Sequence, residues 1–264
     1  MLALERRNEI LEKLQMEKRV VVAELSQQYG VSEETIRRDL DKLEKEGYAT
    51  KSYGGAVINE NTGIDLPFNI RKNQNVQGKQ KIAELAAALV EDGDHIILDA
   101  SSTAVFVAKA LKETKSRLTV LTNSMEILLS LTDAPEWEIL STGGVMDERY
   151  LTFIGIEAEQ AIRAHFADKV IFSCKAFSRE RGYMESKDSL AGIKRTMLTS
   201  GKTRILAVDS TKFDRDAFAI VSDLRDVDIV LTDEQPSEAW MRAFERAGVR
   251  CIYPDAVTGY TCGG

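Results

Sequence analysis

Apolar positions near the N-terminus recur at helical spacing. Leu4, Ile10, Leu11 and Leu14 fall near one face of a helix expected over 4–16. Val20-Val21-Val22 is a short β-prone run, followed by a second helix from Ala23 to Tyr29 that Gly30 stops. Ser32 stands where it would cap a third helix over 33–46, with Gly47 as its end signal. In that helix Ile36, Leu40 and Leu43 form the buried stripe, and Arg37, Arg38, Asp41, Lys42 and Lys45 lie off it. Residues 48–58 read as a β-hairpin with Gly54-Gly55 in its turn. Three short helices closed by a hairpin predict a small domain of its own over 1–58, with a helix-turn-helix in its segment 23–46.

Residues 59–78 are polar and weakly periodic, and read as a linker. From Lys79 the pattern changes. The apolar runs 96–98, 118–121, 137–140, 170–172, 205–208, 229–231 and 249–253 alternate with helical stretches at 79–90, 103–112, 125–131, 188–199 and 236–247. Such alternation predicts an α/β domain over 79–254, built on a mostly parallel sheet covered on both faces. The small, polar residues 255–264 read as a flexible tail.

Composition narrows the chemistry. The 264 residues suit a small module plus a larger one. No apolar run is long enough to span a membrane, and the charged start from Met1 to Arg7 lacks the apolar stretch of a signal peptide, so a cytoplasmic protein is expected. Cys174, Cys251 and Cys262 are far apart and the histidines are only His95 and His165, so neither disulfides, nor a metal site, nor any cofactor is expected. The net charge is −7, and residues 1–58, with ten basic and eleven acidic side chains, carry −1. Binding to DNA must therefore rest on where the cations sit rather than on their number.

The third helix and the hairpin place polar groups where a helix-turn-helix reader needs them. Ser32 and Thr35 are suited to phosphates or base edges near a helix N-terminus, and Arg37 and Arg38 to guanine edges or phosphates, with Lys42 on the same helix. Lys51, Ser52 and Tyr53 are placed to touch the flanking backbone. Spacing alone equally allows Arg37 and Arg38 to pair along their own helix with Glu33, Glu34 or Asp41.

In parallel α/β sheets ligands bind beyond the carboxyl ends of the strands. Here those ends carry Asp99, Ser101, Ser102 and Thr103; Thr122, Asn123 and Ser124; Gly143 and Gly144; and Asp209 and Lys212. Hydroxyls and amides at helix N-termini beside lysines suit an anion, and Asp99, Asn123 and Asp209 suit sugar hydroxyls, so a small phosphorylated sugar fits the set. Residue by residue, Ser102 and Ser124 equally suit helix caps, and Asp209 and Lys212 equally suit a mutual surface pair.

The run from Val31 to Leu40 (VSEETIRRDL), with Leu43-Glu44, Gly47 and Tyr53-Gly54-Gly55-Ala56, resembles the signature of the DeoR family of bacterial transcription regulators. Gly93-Asp94, Asp99, Ser101-Ser102-Thr103, Val120 to Ser124, Gly143-Gly144, Gly182, Lys194-Arg195, Asp209 to Phe213 and Thr232-Asp233 resemble its sensor half. The resemblance implies a winged helix repressor of a carbohydrate-metabolism operon, double-stranded operator DNA as partner, and a sensor domain related to ribose-5-phosphate isomerase-like folds. The sequence departs from the family at Ser101, where a small residue is usual, so a narrowed pocket is expected. Residues 173–182 are also less generic, which singles out Lys175 and Glu185 as selectors of the effector. Cys174, beside Phe172, is expected to be a buried strand cysteine. The isomerase relatives carry an acidic cluster after a central strand. Here no carboxylate follows Phe172 until Glu180, so binding without turnover is expected. Recognition of symmetric DNA implies a homo-oligomer, a dimer or tetramer.

Overall fold

The computed structural model describes residues 2–59, 66–134, 136–255 and 259–263, with Asp255 and the last segment in backbone alone. The chain divides into two compact units, Met1–Gln74 and Asn75–Gly264.

The first unit contains α1 (Ala3–Glu17), β1 (Arg19–Val21), α2 (Val22–Tyr29), α3 (Glu33–Lys45), β2 (Ala49–Ser52), β3 (Gly55–Ile58) and α4 (Phe68–Asn73). Ile10, Leu11, Leu14, Leu25, Ile36, Leu40 and Leu43 close its core, each at most 2% exposed. Each such side chain contributes about 1.5–3 kcal/mol on leaving water. Leu4, expected on that stripe, is exposed instead: the buried face of α1 begins two residues later, at Arg6, and continues through Ile10, Leu11 and Leu14. The Val20 run supplies a strand of its own: β1 pairs with β3 to make a three-stranded wing in the order β1-β3-β2. Gly55 permits this, since a Cβ there would lie 2.0 Å from the Val20 carbonyl oxygen.

The expected linker is structured in part. Residues 60–65 lie outside the described residues, whereas 68–73 form α4. Phe68 and Ile70 are each 1% exposed, and Ile70 joins the first unit's core. Two apolar residues among Asn, Gln and Lys carry no helical period, so only the core they enter reveals this turn of helix.

The second unit runs α5 (Val76–Leu89), β4 (His95–Leu98), α6 (Ser102–Thr114), β5 (Thr119–Thr122), α7 (Met125–Ser130), β6 (Glu138–Ser141), β7 (Val145–Asp147), β8 (Thr152–Ile154), α8 (Ile156–Arg163), β9 (Ala167–Phe172), β10 (Ala176–Ser178), β11 (Gly182–Glu185), α9 (Asp188–Leu198), β12 (Gly201–Ala207), β13 (Ala219–Ser222), β14 (Ile229–Leu231), α10 (Glu238–Ala247), β15 (Arg250–Asp255) and β16 (Gly259–Gly263). The main sheet has the order β16-β15-β14-β12-β9-β4-β5-β6 and is parallel except for β16. That strand occupies the expected tail: residues 259–263 add to β15 through backbone pairing, which requires no apolar sequence.

Alternate strand residues supply the two faces. Ile97, Leu121, Val170, Phe172, Leu206, Val230 and Cys251 share one core with side chains of α8, α9 and α10. Ile96, Leu98, Val120, Ile171, Ile205, Leu231 and Ile252 are also buried, and α5 and α6 pack on one another and on the sheet. A small antiparallel sheet, β10-β11-β13, and the hairpin β7-β8 complete the unit.

The strand order dictates where a crevice opens. The chain steps outward through β4, β5 and β6, returns to the other side of β4 as β9, and steps outward again through β12, β14 and β15. The reversal lies between β4 and β9, and such a switch point is where open parallel sheets bind ligands.

Candidate functional site

In the first unit α3 is held at its start by a cap and along its length by a buried acid. The Ser32 side chain accepts from the Thr35 amide at 3.3 Å, and its hydroxyl lies 3.0 Å from that of Thr35, so these two groups serve the helix start. Asp39, 4% exposed, accepts from Arg6 Nε at 2.6 Å and has Arg7 at 3.6 Å. This buried pair clamps α3 to α1. Asp39 belongs to the recognised run, but its distance of 33 residues from Arg6 hid the contact.

The cations expected to face DNA are engaged with their own module. Arg37 donates to Glu33 at 2.6 Å and Arg38 to Glu34 at 3.2 Å, one helical turn away in each case. Lys51, on β2, pairs with Asp41, and that hydrogen bond holds the Asp41 carboxyl below the usual carboxylate range. The Lys51 amide also donates to Glu44 at 2.8 Å. Lys42, Ser52 and Tyr53 are exposed, with Tyr53 at the wing's turn. Of the two arrangements spacing allowed for the arginines, the chain adopts intrahelical pairing.

In the second unit the switch point gathers a buried ionic cluster. Asp99, at the end of β4, is 1% exposed. One of its oxygens accepts from the Ser101 amide and hydroxyl, at 3.2 and 2.6 Å; the other accepts from the Ser173 amide, at the end of β9, at 3.2 Å. Lys194, from α9, lies 2.9 Å from Asp99 and donates to Glu185 and to the Ser173 carbonyl. Burial alone would lower the Lys194 pKa, but Asp99 and Glu185 outweigh it and raise it above the usual lysine range. Asp99 thus acts as a bracket across β4, β9 and α9. Lys194 was recognisable only as part of a matching run; nothing in its spacing showed that it would turn inward between two acids.

Around this cluster the helix starts are sorted by their caps. Ser101, not Ser102, caps α6, its hydroxyl accepting from the Ala104 amide at 3.0 Å. The Ser101 side chain therefore folds back onto Asp99 and Ala104. Ser102 and Thr103 are buried in the first turn. Ser124 caps α7, accepting from Ile127 at 3.2 Å. Thr122 donates to the Leu98 carbonyl at 2.8 Å and ties β5 to β4.

Asn123 differs from its neighbours. Its side-chain nitrogen donates to Thr152 at 2.8 Å and to the Phe153 carbonyl at 3.1 Å, while its side-chain oxygen has no partner among the described residues, although the residue is only 3% exposed. An unpaired buried acceptor is costly, and it invites a donor.

Gly143 and Gly144 have φ of +61° and +107°, and a Cβ on Gly144 would meet the Ile154 carbonyl at 2.7 Å, so this turn packs tightly before β7. Asp209, 3% exposed, bonds the Thr211 amide at 3.1 Å and its hydroxyl, and does not pair with Lys212. The half-buried Lys212 ammonium makes no ion pair among the described residues. Asp209, Lys212, Glu185 and Lys194 all act electrostatically on Cys174. Cys174 itself is 6% exposed, and burial pushes its thiol up to about 12, in keeping with a structural cysteine. Lys175 is half-buried beside it, its amide bonded to the Met184 carbonyl at 3.0 Å.

Residues 6–62 match the DeoR-like helix-turn-helix domain, and residues 74–234 match the DeoR C terminal sensor domain. The chain is 38% identical over 250 residues to the HTH-type transcriptional regulator YulB of Bacillus subtilis (strain 168), covering 95% of this chain and 96% of that one. It is 32% identical to the L-fucose operon activator of Haemophilus influenzae, covering 85% and 89%, and 29% identical to the HTH-type transcriptional repressor GlcR of Bacillus subtilis (strain 168), covering 95% and 96%. Among solved structures, ribose 5-phosphate isomerase A from Methanocaldococcus jannaschii aligns with a TM-score of 0.39 at 16% identity, over 53% of this chain and 55% of that one. Among the described residues no helix is long and apolar enough to cross a membrane.

Proposed function

Since this chain belongs to the DeoR family of transcription regulators, we propose that it is a cytoplasmic repressor of a carbohydrate-metabolism operon, binding double-stranded operator DNA as a homo-oligomer and answering to a small phosphorylated sugar. The DNA face is α3 with the wing: Ser32, Thr35, Arg37, Arg38 and Lys42, flanked by Lys51, Ser52 and Tyr53. The effector site is the switch point between β4 and β9, and it binds without turning over.

The observation that carries the effector reading is the Asn123 side-chain carbonyl oxygen, buried just after the end of β5 and without a hydrogen-bond partner among the described residues. A sugar hydroxyl supplies the missing donor. The first-turn amides of α6 with the Ser102 and Thr103 hydroxyls, and the Lys212 ammonium, suit the phosphate. The Asp99–Lys194–Glu185 cluster forms a rigid polar wall. Turnover is disfavoured because Lys194 and the Ser101 and Ser173 groups already engage both carboxylates of that wall.

The test is binding of the purified protein, at fixed salt, to DNA from upstream of its operon, with and without a panel of sugar phosphates. Specific binding that one compound weakens supports both halves of the reading and names the effector. Binding that no compound alters removes the effector, and absence of specific binding with conversion of a panel compound replaces the regulator by an enzyme.

A further inference from the structure

Arg37, Arg38 and Lys51 each have a carboxylate of the same module as partner: Glu33 at 2.6 Å, Glu34 at 3.2 Å, and Asp41. All six side chains are between 42% and 76% exposed. Ion pairs this solvated add little to folding stability, so the fold does not require them. Their consequence falls on the polyanion. A carboxylate within hydrogen-bond reach of a cation stands equally near any phosphate that the cation approaches. The cation must leave its acid, and the acid, left beside a phosphate, must recruit a counterion.

We infer that Glu33, Glu34 and Asp41 are specificity determinants: they occupy the module's cations and so suppress its affinity for arbitrary DNA. Sequence-independent binding is driven by release of condensed counterions as protein cations neutralise phosphates. A cation already matched to its own acid releases one and takes one up, and gains nothing from a phosphate alone. Only a base edge that adds bidentate hydrogen bonds repays the exchange. The arrangement agrees with the charge of residues 1–58, where eleven acids face ten bases in a DNA-binding module. Two of the three acids stand one turn before the cation they hold, the orientation that pairs best along a helix.

The inference rests on the reading of α3 and the wing as the DNA face, and one experiment separates the two. The full-length protein is titrated with a random-sequence duplex by fluorescence anisotropy over a potassium chloride series. The variant Glu33→Gln, Glu34→Gln, Asp41→Asn is compared with Glu24→Gln, Glu91→Gln, Glu113→Gln, which makes the same charge change at exposed sites off α3. The first variant is expected to bind random DNA about tenfold tighter at low salt, with log K falling more steeply against log salt by up to about 2.7, or about 0.9 per released cation. The control is expected to move little in either quantity. Equal behaviour of the two variants overturns the inference. Arg37→Ala with Arg38→Ala, added to the triple variant whose cations are freed, tests the underlying face: if the tighter random-DNA binding persists there, the face itself is misassigned. If the triple variant melts early, the three single substitutions carry the test, each steepening the slope by about 0.9.

Discussion

Lys194 and Asp99 meet at 2.9 Å at the sheet's switch point, with only 10% and 1% of their side chains exposed. Two carboxylates and the Ser173 carbonyl converge on one ammonium there. Because the folded pKa of Lys194 lies above its ordinary 10.5, its contribution to stability is fully present below that pH and is lost as the pH rises beyond it. Replacing it strands two buried acids. Lys194→Met is expected to cost about 3–5 kcal/mol in urea unfolding. The loss should be smaller in mildly acidic than in mildly alkaline buffer, because the stranded carboxyls then take up protons. A loss independent of pH would show that the acids find other partners.

At the candidate effector site the Lys212 ammonium makes no ion pair among the described residues. Lys212→Ala is expected to weaken the response to the sugar phosphate at least tenfold in effector concentration, while binding to operator DNA without effector stays as in the parent protein; a lost charge-assisted bond of about 1.5–3 kcal/mol sets that scale. DNA-binding titrations at several effector concentrations measure both. An unchanged effector response would move the phosphate away from this residue.

Gly182 and Gly93 both have positive φ, +71° and +87°, yet they differ in what surrounds them. A Cβ at Gly182 would lie 2.1 Å from the Ser222 carbonyl oxygen, whereas nothing stands within 4 Å at Gly93. Gly93→Ala should cost about 1–2 kcal/mol, the price of the left-handed backbone. Gly182→Ala adds a clash with the neighbouring strand β13, and should cost clearly more. Thermal melts of the two variants rank them, and equal losses would mean that the small sheet yields without strain.

Burial pushes the thiols of Cys174 and Cys251 up to about 12. With Cys262→Ser in the background, both remaining thiols should resist a thiol-specific disulfide reagent at mildly alkaline pH for as long as the protein stays folded, and react at once in denaturant. Rapid labelling of Cys174 in the native protein would mean that the switch point opens.

The first unit was largely legible because its signals are local. Ser32 caps, Gly30 stops, and Ile36, Leu40 and Leu43 repeat at helical period within a single turn-to-turn reach. The main sheet was legible from apolar runs flanked by helices. The strands β7, β8, β10, β11 and β13 were not, since three or four residues carry too little alternation to stand out from a loop. Helix α8 was also missed; its buried residues are Ala158 and Ile162, a sparse stripe. At the candidate site, residue types announced themselves at the strand ends, but partners did not. Glu185 was picked out for its unusual surroundings, while the lysine that neutralises it lies on the next helix. The acids beside Arg37 and Arg38 were visible as an alternative, and only the structure chose between them.

The strand order has a consequence for synthesis. Residues up to Ile70 close the first unit's core, so that unit can fold while the rest of the chain is still being made. The second unit has no such option. β4 is flanked by β5 and β9, so one edge of the strand made first waits until translation has passed Phe172, and β9 in turn waits for β12. The growing chain must carry Ile96, Ile97 and Leu98 half-covered through that interval. The midpoint of translation is thus when this protein is most exposed to aggregation, and when a chaperone has most to bind.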